Sequence, residues 1–202
     1  MDSPIQLTLT ESKSKDLVPI LNGKPLHSLH NPLREAEVFA SNHLAQLSQR
    51  PYVLVLGLGF GYHLEEMAKI LRLRHKEGRI VVIEPCKELY RLWSSYRPNK
   101  GNVEVFCAPT AQELYSDRAL CQFLLLKPVV IIHGPSFEMA KPYYQDFLQK
   151  RAAASLSEWR TSSSWWNDWA QGQVNTRPEE LLEAHVPQAA WLRAFWEIKH
   201  AE

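Results

Sequence analysis

Cysteine is scarce in this chain of 202 residues: Cys86, Cys107 and Cys121 are its three. Their odd number and lack of metal-ligand spacing read as reduced thiols in a cytoplasmic protein. Long apolar runs are missing too. The longest, around Phe123 to Ile132, is interrupted by Lys127-Pro128, whereas a spanning helix needs about 20 apolar residues, so no membrane is expected. The opening Met1-Asp2-Ser3-Pro4-Ile5-Gln6 has neither a basic n-region nor an apolar h-region, and no signal peptide is expected. Charge of one sign is not in excess, the net value being +1. Without a basic stripe or an RNA-binding aromatic motif, nucleic acid is not an expected partner. H-x-x-x-H, C-x-x-C, D-x-D and G-x-S-x-G are all absent. No metal and no self-contained catalytic machinery are therefore expected.

Against these absences stands one dense signal. Val53-Leu54-Val55-Leu56 reads as a buried strand and Gly57-Leu58-Gly59-Phe60-Gly61 as a turn with glycine at every second position. Leu64, Met67, Ala68 and Leu71 follow as the apolar face of a helix, spaced i, i+3, i+4, i+7. Glycine suits a backbone that turns sharply and lies close to its occupant, which a Cβ would block. The helix start behind such a turn offers N–H groups and a positive dipole end to an anionic or polar ligand. A second apolar strand, Ile80 to Ile83, ends in Glu84. That is about the 20-residue distance at which an acid grips a ribose diol in nucleotide-binding βαβ units. The third glycine is Gly61, so the motif is G-x-G-x-G, not the G-x-G-x-x-G of a standard dinucleotide site. The plainer alternative is a tight turn with an empty mouth and a solvated Glu84.

Length and composition fit one α/β domain with an appendage. Residues 5 to 9 alternate as a strand, and Asn22-Gly23 marks a hairpin within residues 18 to 28. Asn31 caps a helix with Pro32 at its first position and an apolar stripe through Ala36, Phe39, Ala40, Leu44 and Leu47. Strands are predicted at 53–57, 80–84, 103–106 and 128–132, and helices at 62–76, 86–95, 110–121 and 138–156. This alternation predicts a parallel sheet covered on both faces, a Rossmann-like α/β fold of core strand order 3-2-1-4. Every tryptophan but Trp93 falls beyond residue 157. The expected organisation is an N-terminal strand and hairpin over 1–30, a Rossmann-like domain over 31–157, and a helical, tryptophan-rich extension over 158–202. Those tryptophans either bury against the same chain or anchor an interface with a partner or a second copy.

In such a sheet the ligand crevice lies beyond the carboxyl ends of the strands, where strand order reverses. Gly57, Gly59, Gly61, Glu84 and His133 fall on that edge, with Tyr62 and His63 in the first turn of the following helix. These seven form the expected ligand site. His133 is either a substrate-holding group or a hydrogen-bonded structural histidine. His63 can donate to a ligand or cap its own helix, whose dipole disfavours its protonated form. Tyr62 either contacts a ligand or packs under the turn. Asn31, Arg34 and Glu35 are candidates for the crevice wall, unless Arg34 and Glu35 form a local charged pair.

Several segments together resemble the motility-associated-factor (Maf) flagellin glycosyltransferases. They are Gly23-Lys24-Pro25-Leu26-His27-Ser28, Asn31-Pro32-Leu33-Arg34-Glu35-Ala36-Glu37, Leu56-Gly57-Leu58-Gly59-Phe60-Gly61-Tyr62-His63-Leu64 and Val82-Ile83-Glu84-Pro85. Val129 to His133, Pro142-Tyr143-Tyr144 and Trp166-Asn167-Asp168-Trp169 extend the likeness. It implies a Rossmann-like amino-terminal module, accessory to transfer of nonulosonic, sialic-acid-like sugars from a CMP donor onto flagellin in the bacterial cytoplasm. The family's transfer chemistry belongs to a central domain, and this sequence reaches Glu202 before most of such a domain. The likeness therefore implies a truncated module, non-catalytic alone, that serves a transferase domain or a protein partner. The alternative expectation is a small S-adenosylmethionine-dependent methyltransferase, from the G-x-G-x-G turn and the acid ending the second strand. Val55 stands where such enzymes usually carry an acid. The ligand expected at the turn is thus a CMP-sugar or other nucleotide, or S-adenosylmethionine.

Overall fold

The computed structural model describes residues 5–96, 103–114 and 117–151. The chain divides into two units, one of Met1–Pro109 with Pro128–Lys141 and one of Thr110–Lys127 with Pro142–Glu202. The tryptophan-rich stretch expected over 158–202 lies outside the described residues.

In the first unit, β1 (Leu7–Glu11), β2 (Leu17–Leu21) and β3 (Lys24–Pro25) form an antiparallel sheet in that order. Asn22 and Gly23 take φ of 48° and 78°, the left-handed pair that a type I′ hairpin needs. α1 (Pro32–Asn42) starts as predicted, with Asn31 Oδ1 accepting the Arg34 N–H at 2.8 Å and filling one of the orphan donors of the first turn. The single helix expected through Leu47 is two helices. At His43 the backbone leaves helical geometry (φ −102°, ψ 9°) and its N–H returns to Ala40 O, before α2 (Leu44–Gln49) resumes.

A strand–helix alternation follows: β4 (Tyr52–Leu56), α3 (Tyr62–Arg74), β5 (Arg79–Ile83), α4 (Lys87–Tyr96) and β6 (Val103–Phe106). After α5 (Ala111–Leu114) and α6 (Arg118–Leu125) come β7 (Val129–Ile132), α7 (Gly134–Met139) and α8 (Lys141–Arg151). The four later strands make a parallel sheet of order β6-β5-β4-β7, which is the predicted 3-2-1-4. Val53, Leu54, Val55, Leu56, Ile80, Val81, Val82 and Ile83 have no exposed surface. Strands covered on both faces read as continuous apolar runs, and each such side chain contributes about 1.5–3 kcal/mol. On one face, α1 and α3 pack together over a core of Ala36, Ala40, Leu64, Met67 and Leu71.

Register brings three strand ends level. Leu56 pairs with Ile83 on one side and with Ile132 on the other. The ladder runs one step further, through Gly57 N–H to Ile83 O and His133 N–H to Leu56 O, both at 3.0 Å. Gly57, Glu84 and His133 therefore leave the sheet side by side.

In the second unit the helix predicted at 110–121 is broken, because Asp117 caps a new start by accepting the Leu120 N–H at 3.1 Å. Of the helix predicted at 138–156, Glu138 and Met139 end α7, which parts from α8 at Ala140 (φ −132°, ψ 36°), and residues 152–156 lie outside the described residues. Leu120, Phe123, Tyr144 and Phe147 are buried in this unit.

Candidate functional site

The glycine turn satisfies its own amides. Leu58 N–H donates to Glu84 Oε2 at 2.9 Å, Gly59 N–H to Ser136 Oγ at 3.1 Å, Phe60 N–H to His27 Nε2 at 2.8 Å, and Gly61 N–H to Leu58 O at 3.0 Å. Those partners come from the end of β5, from α7, from the segment after β3 and from the turn itself. The close approach that glycine permits is therefore used by the chain's own side chains. A Cβ on Gly59, whose φ is +52°, would lie 2.5 Å from His27 Nε2 and 2.9 Å from His133 Cε1. One on Gly57 would strike Ser136, and one on Gly61 would strike the Trp93 indole.

Glu84 is 3% exposed, and its other oxygen, Oε1, accepts the Cys86 N–H at 2.9 Å. Burial raises its pKa and the Leu58 and Cys86 N–H groups lower it, leaving it pushed up to about 7. A carboxylate offers about four acceptor positions, and two are filled. The adjacent Cys86 thiol, raised to about 11 chiefly by burial, is not a thiolate at neutral pH and is no nucleophile.

On the opposite side of the turn three buried imidazoles gather. His63 and His133 stack with centroids 4.2 Å apart and planes 5° from parallel, and His27 lies 4.8 Å from His133 and 5.7 Å from His63. Each ring has an oxygen partner. His27 Nδ1 faces Glu35 Oε2 at 3.3 Å, His63 Nε2 faces Gly57 O at 3.3 Å, and His133 Nδ1 faces Ser136 Oγ at 2.8 Å. Because Phe60 donates to His27 Nε2, that nitrogen is an acceptor and the His27 proton sits on Nδ1, toward Glu35. By the same logic Gly57 O holds the His63 proton on Nε2. His63 Nδ1 is then a bare lone pair, buried without a hydrogen-bond partner, a condition that costs about 1–3 kcal/mol. Burial, with repulsion from His27 whenever that ring carries charge, holds His63 well below the usual imidazole range. Burial first, then His63 and His27, do the same to His133. Glu35 is raised by burial, but the His27 and Ser28 hydrogen bonds outweigh this and leave it lowered.

The other residues singled out from sequence divide by neighbourhood. Tyr62 is 3% exposed and its hydroxyl donates to Leu17 O at 2.8 Å, so it packs beneath the turn. Asn31 is occupied as a helix cap. Arg34 pairs with Glu37 at 2.8 Å on the exposed face of α1, not with Glu35. Glu35 instead supports His27. Ser136, Trp93 and the part His27 plays were not singled out from sequence as site features. They lie far from the turn along the chain, and no local spacing marks them. The conflict between a Cβ and their side chains is the signal, and it exists only in three dimensions.

Fold and site together define a Rossmann-like α/β domain with a glycine turn at the strand-order reversal. No protein-family model and no curated protein matches the chain. Among solved structures it is similar to MnmC2 from Aquifex aeolicus, with 19% identity and a TM-score of 0.39 over 56% of this chain and 46% of that one. It is also similar to spermidine synthase from Thermotoga maritima, with 18% identity and a TM-score of 0.43 over 57% and 40%. A spermidine synthase in complex with the transition-state analogue AdoDATO gives 18% identity, a TM-score of 0.43, and 57% and 41% coverage. The chain spans less than half the length of each. These matches correct the resemblance to Maf glycosyltransferases and the flagellin-glycosylation role drawn from it. The segments that carried that resemblance have local physical reasons here: Asn31 caps α1, His27 receives Phe60 N–H, Glu35 holds His27, and Glu84 braces the turn. Among the described residues no helix is long and apolar enough to cross a membrane.

Proposed function

We propose that this chain binds a phosphate-free nucleoside of the S-adenosylmethionine class at the β5 side of the glycine turn and serves group transfer from it. The observation that carries the reading is Glu84. Its buried carboxylate sits at the end of the second core strand and accepts a single N–H on each oxygen. A vicinal ribose diol would supply two O–H donors to the two acceptor positions left open. The satisfied amides of the turn weigh against phosphate. A nucleotide or dinucleotide site needs free N–H groups at this place, and Leu58, Gly59, Phe60 and Gly61 have already donated theirs. Glu84 is 3% exposed, so admitting a diol requires the rim to part, and the affinity is reduced by that opening. A cytoplasmic setting fits this reading, Cys86 and Cys107 being free thiols.

Melting of the full chain with S-adenosylmethionine, S-adenosylhomocysteine, adenosine, 2′-deoxyadenosine, CMP and NAD tests this. Binding at 100-fold over Kd stabilises by about 2.7 kcal/mol. The adenosyl compounds should raise the melt, and removing one diol hydroxyl or making Glu84→Gln should abolish the rise. Binding should also strengthen as pH climbs through about 7, where Glu84 becomes the anion that accepts both hydroxyls. An equal shift with 2′-deoxyadenosine, or none with any adenosyl compound, would overturn the reading and leave the turn a structural brace.

A further inference from the structure

We propose that His27, His63 and His133 form a binding site for one divalent transition-metal ion of the zinc type, on the β7 side of the glycine turn. The three come from the segment after β3, from the start of α3 and from the end of β7. All are buried, and one ligand atom from each lies within 4.8 Å of the others. Imidazole is a preferred ligand for zinc, cobalt, nickel and copper, and three of them are a common protein share of such a site.

What distinguishes this cluster from packed core histidines is the fate of its nitrogens. Metal-bound histidine usually gives its other nitrogen to a carboxylate, a backbone carbonyl or a water that fixes ring and tautomer. Here the Glu35 carboxylate faces His27, Gly57 O faces His63 and the Ser136 hydroxyl faces His133. The tautomer that Gly57 O imposes on His63 leaves Nδ1 as an acceptor with no hydrogen-bond partner in a fully buried position. A metal ion would give that lone pair the partner it lacks. The Glu35 carboxylate behind His27 offsets part of the ion's charge.

The resting geometry is wider than the bound one. Zinc–nitrogen bonds of about 2.0–2.1 Å place tetrahedral ligand nitrogens roughly 3.4 Å apart, so a cluster whose ligand atoms lie within 4.8 Å of one another must close on binding. Lone pairs lie in the ring plane, so the parallel His63–His133 stack must tilt. Ligation through His27 Nε2 also releases the Phe60 N–H it now accepts. Each change has a signature, and the Phe60 amide should exchange faster with metal than without it.

The test uses the full chain carrying no affinity tag, titrated with cobalt(II) alone. One equivalent should bind, give the visible d–d absorption of a low-coordinate nitrogen site, and be displaced by zinc. His63→Leu and His133→Gln should each weaken binding at least tenfold while melting cooperatively without metal. His30→Ala, on the exposed surface, should bind as the parent does. Should His63→Leu fail to fold, His133→Gln and the Phe60 amide exchange carry the test. Absence of stoichiometric uptake, or uptake undiminished in folded variants, would overturn the proposal. No nucleoside is present in these measurements, so their failure and that of the diol reading are separately visible.

Discussion

On the β5 side of the glycine turn, a carboxylate receives the Leu58 N–H; on the β7 side, a hydroxyl and an imidazole receive those of Gly59 and Phe60. Both sides are buried, yet they respond oppositely to protons. Burying an acid favours its neutral, protonated form, so Glu84 is driven up to about 7. Burying a base favours its neutral, deprotonated form, so His63 and His133 are driven well down. On the two proposed readings the sides also differ in what an incoming group brings: hydroxyl donors to the carboxylate, a cation to the lone pairs.

The comparison breaks most severely where both sides meet, at Gly59. Gly59→Ala places a methyl group against His27 and His133 and asks alanine to hold φ +52°. Left-handed geometry costs an L-residue roughly 1–2 kcal/mol and overpacking about 1–3 kcal/mol. Chemical denaturation should therefore show a loss of roughly 2–5 kcal/mol. A loss below about 1 kcal/mol would mean that the turn is not filled as described.

A smaller effect separates the two sides. The native state keeps a proton on Glu84 that the unfolded chain releases, so this group's contribution falls as pH rises from about 4.5 to about 7. At 1.36 kcal/mol per pKa unit the fall reaches roughly 3 kcal/mol. The histidines act in reverse: their contribution is complete above about 6.5, the ordinary imidazole value, and is lost as pH falls below it. Stability measured against pH should lose its falling limb in Glu84→Gln and keep its acid limb. An unchanged profile in that variant would remove the carboxylate from the comparison. Smallest is Ser136→Ala, which leaves the Gly59 N–H without its acceptor and His133 without its partner. A loss of about 1–3 kcal/mol is expected, together with a rise in Gly59 amide exchange.

Much of the fold is legible in the sequence. Apolar runs at β4, β5 and β7, broken by helical periodicity, require a parallel sheet, and handed crossovers leave the observed order as the economical one. The helix breaks at His43, Asp117 and Ala140 were not readable, because continuous apolar spacing carries no mark of a backbone that departs for one residue. Of the site, the turn and Glu84 were legible, since strand, glycine and acid lie in one βαβ unit. The partners of the turn were not. His27, Ser136 and Trp93 belong to other elements, and their bearing on Gly57, Gly59 and Gly61 appears only when sheet register sets Gly57, Glu84 and His133 abreast.

The amino-acid order alone thus determined which segments are strands, how they cross over, and where the chain needs glycine, because these follow from local periodicity and backbone sterics. Tertiary structure alone decided what the glycines make room for. Three imidazoles and a hydroxyl converge there from segments that no spacing rule connects, and burial then disfavours the charged forms of His63 and His133.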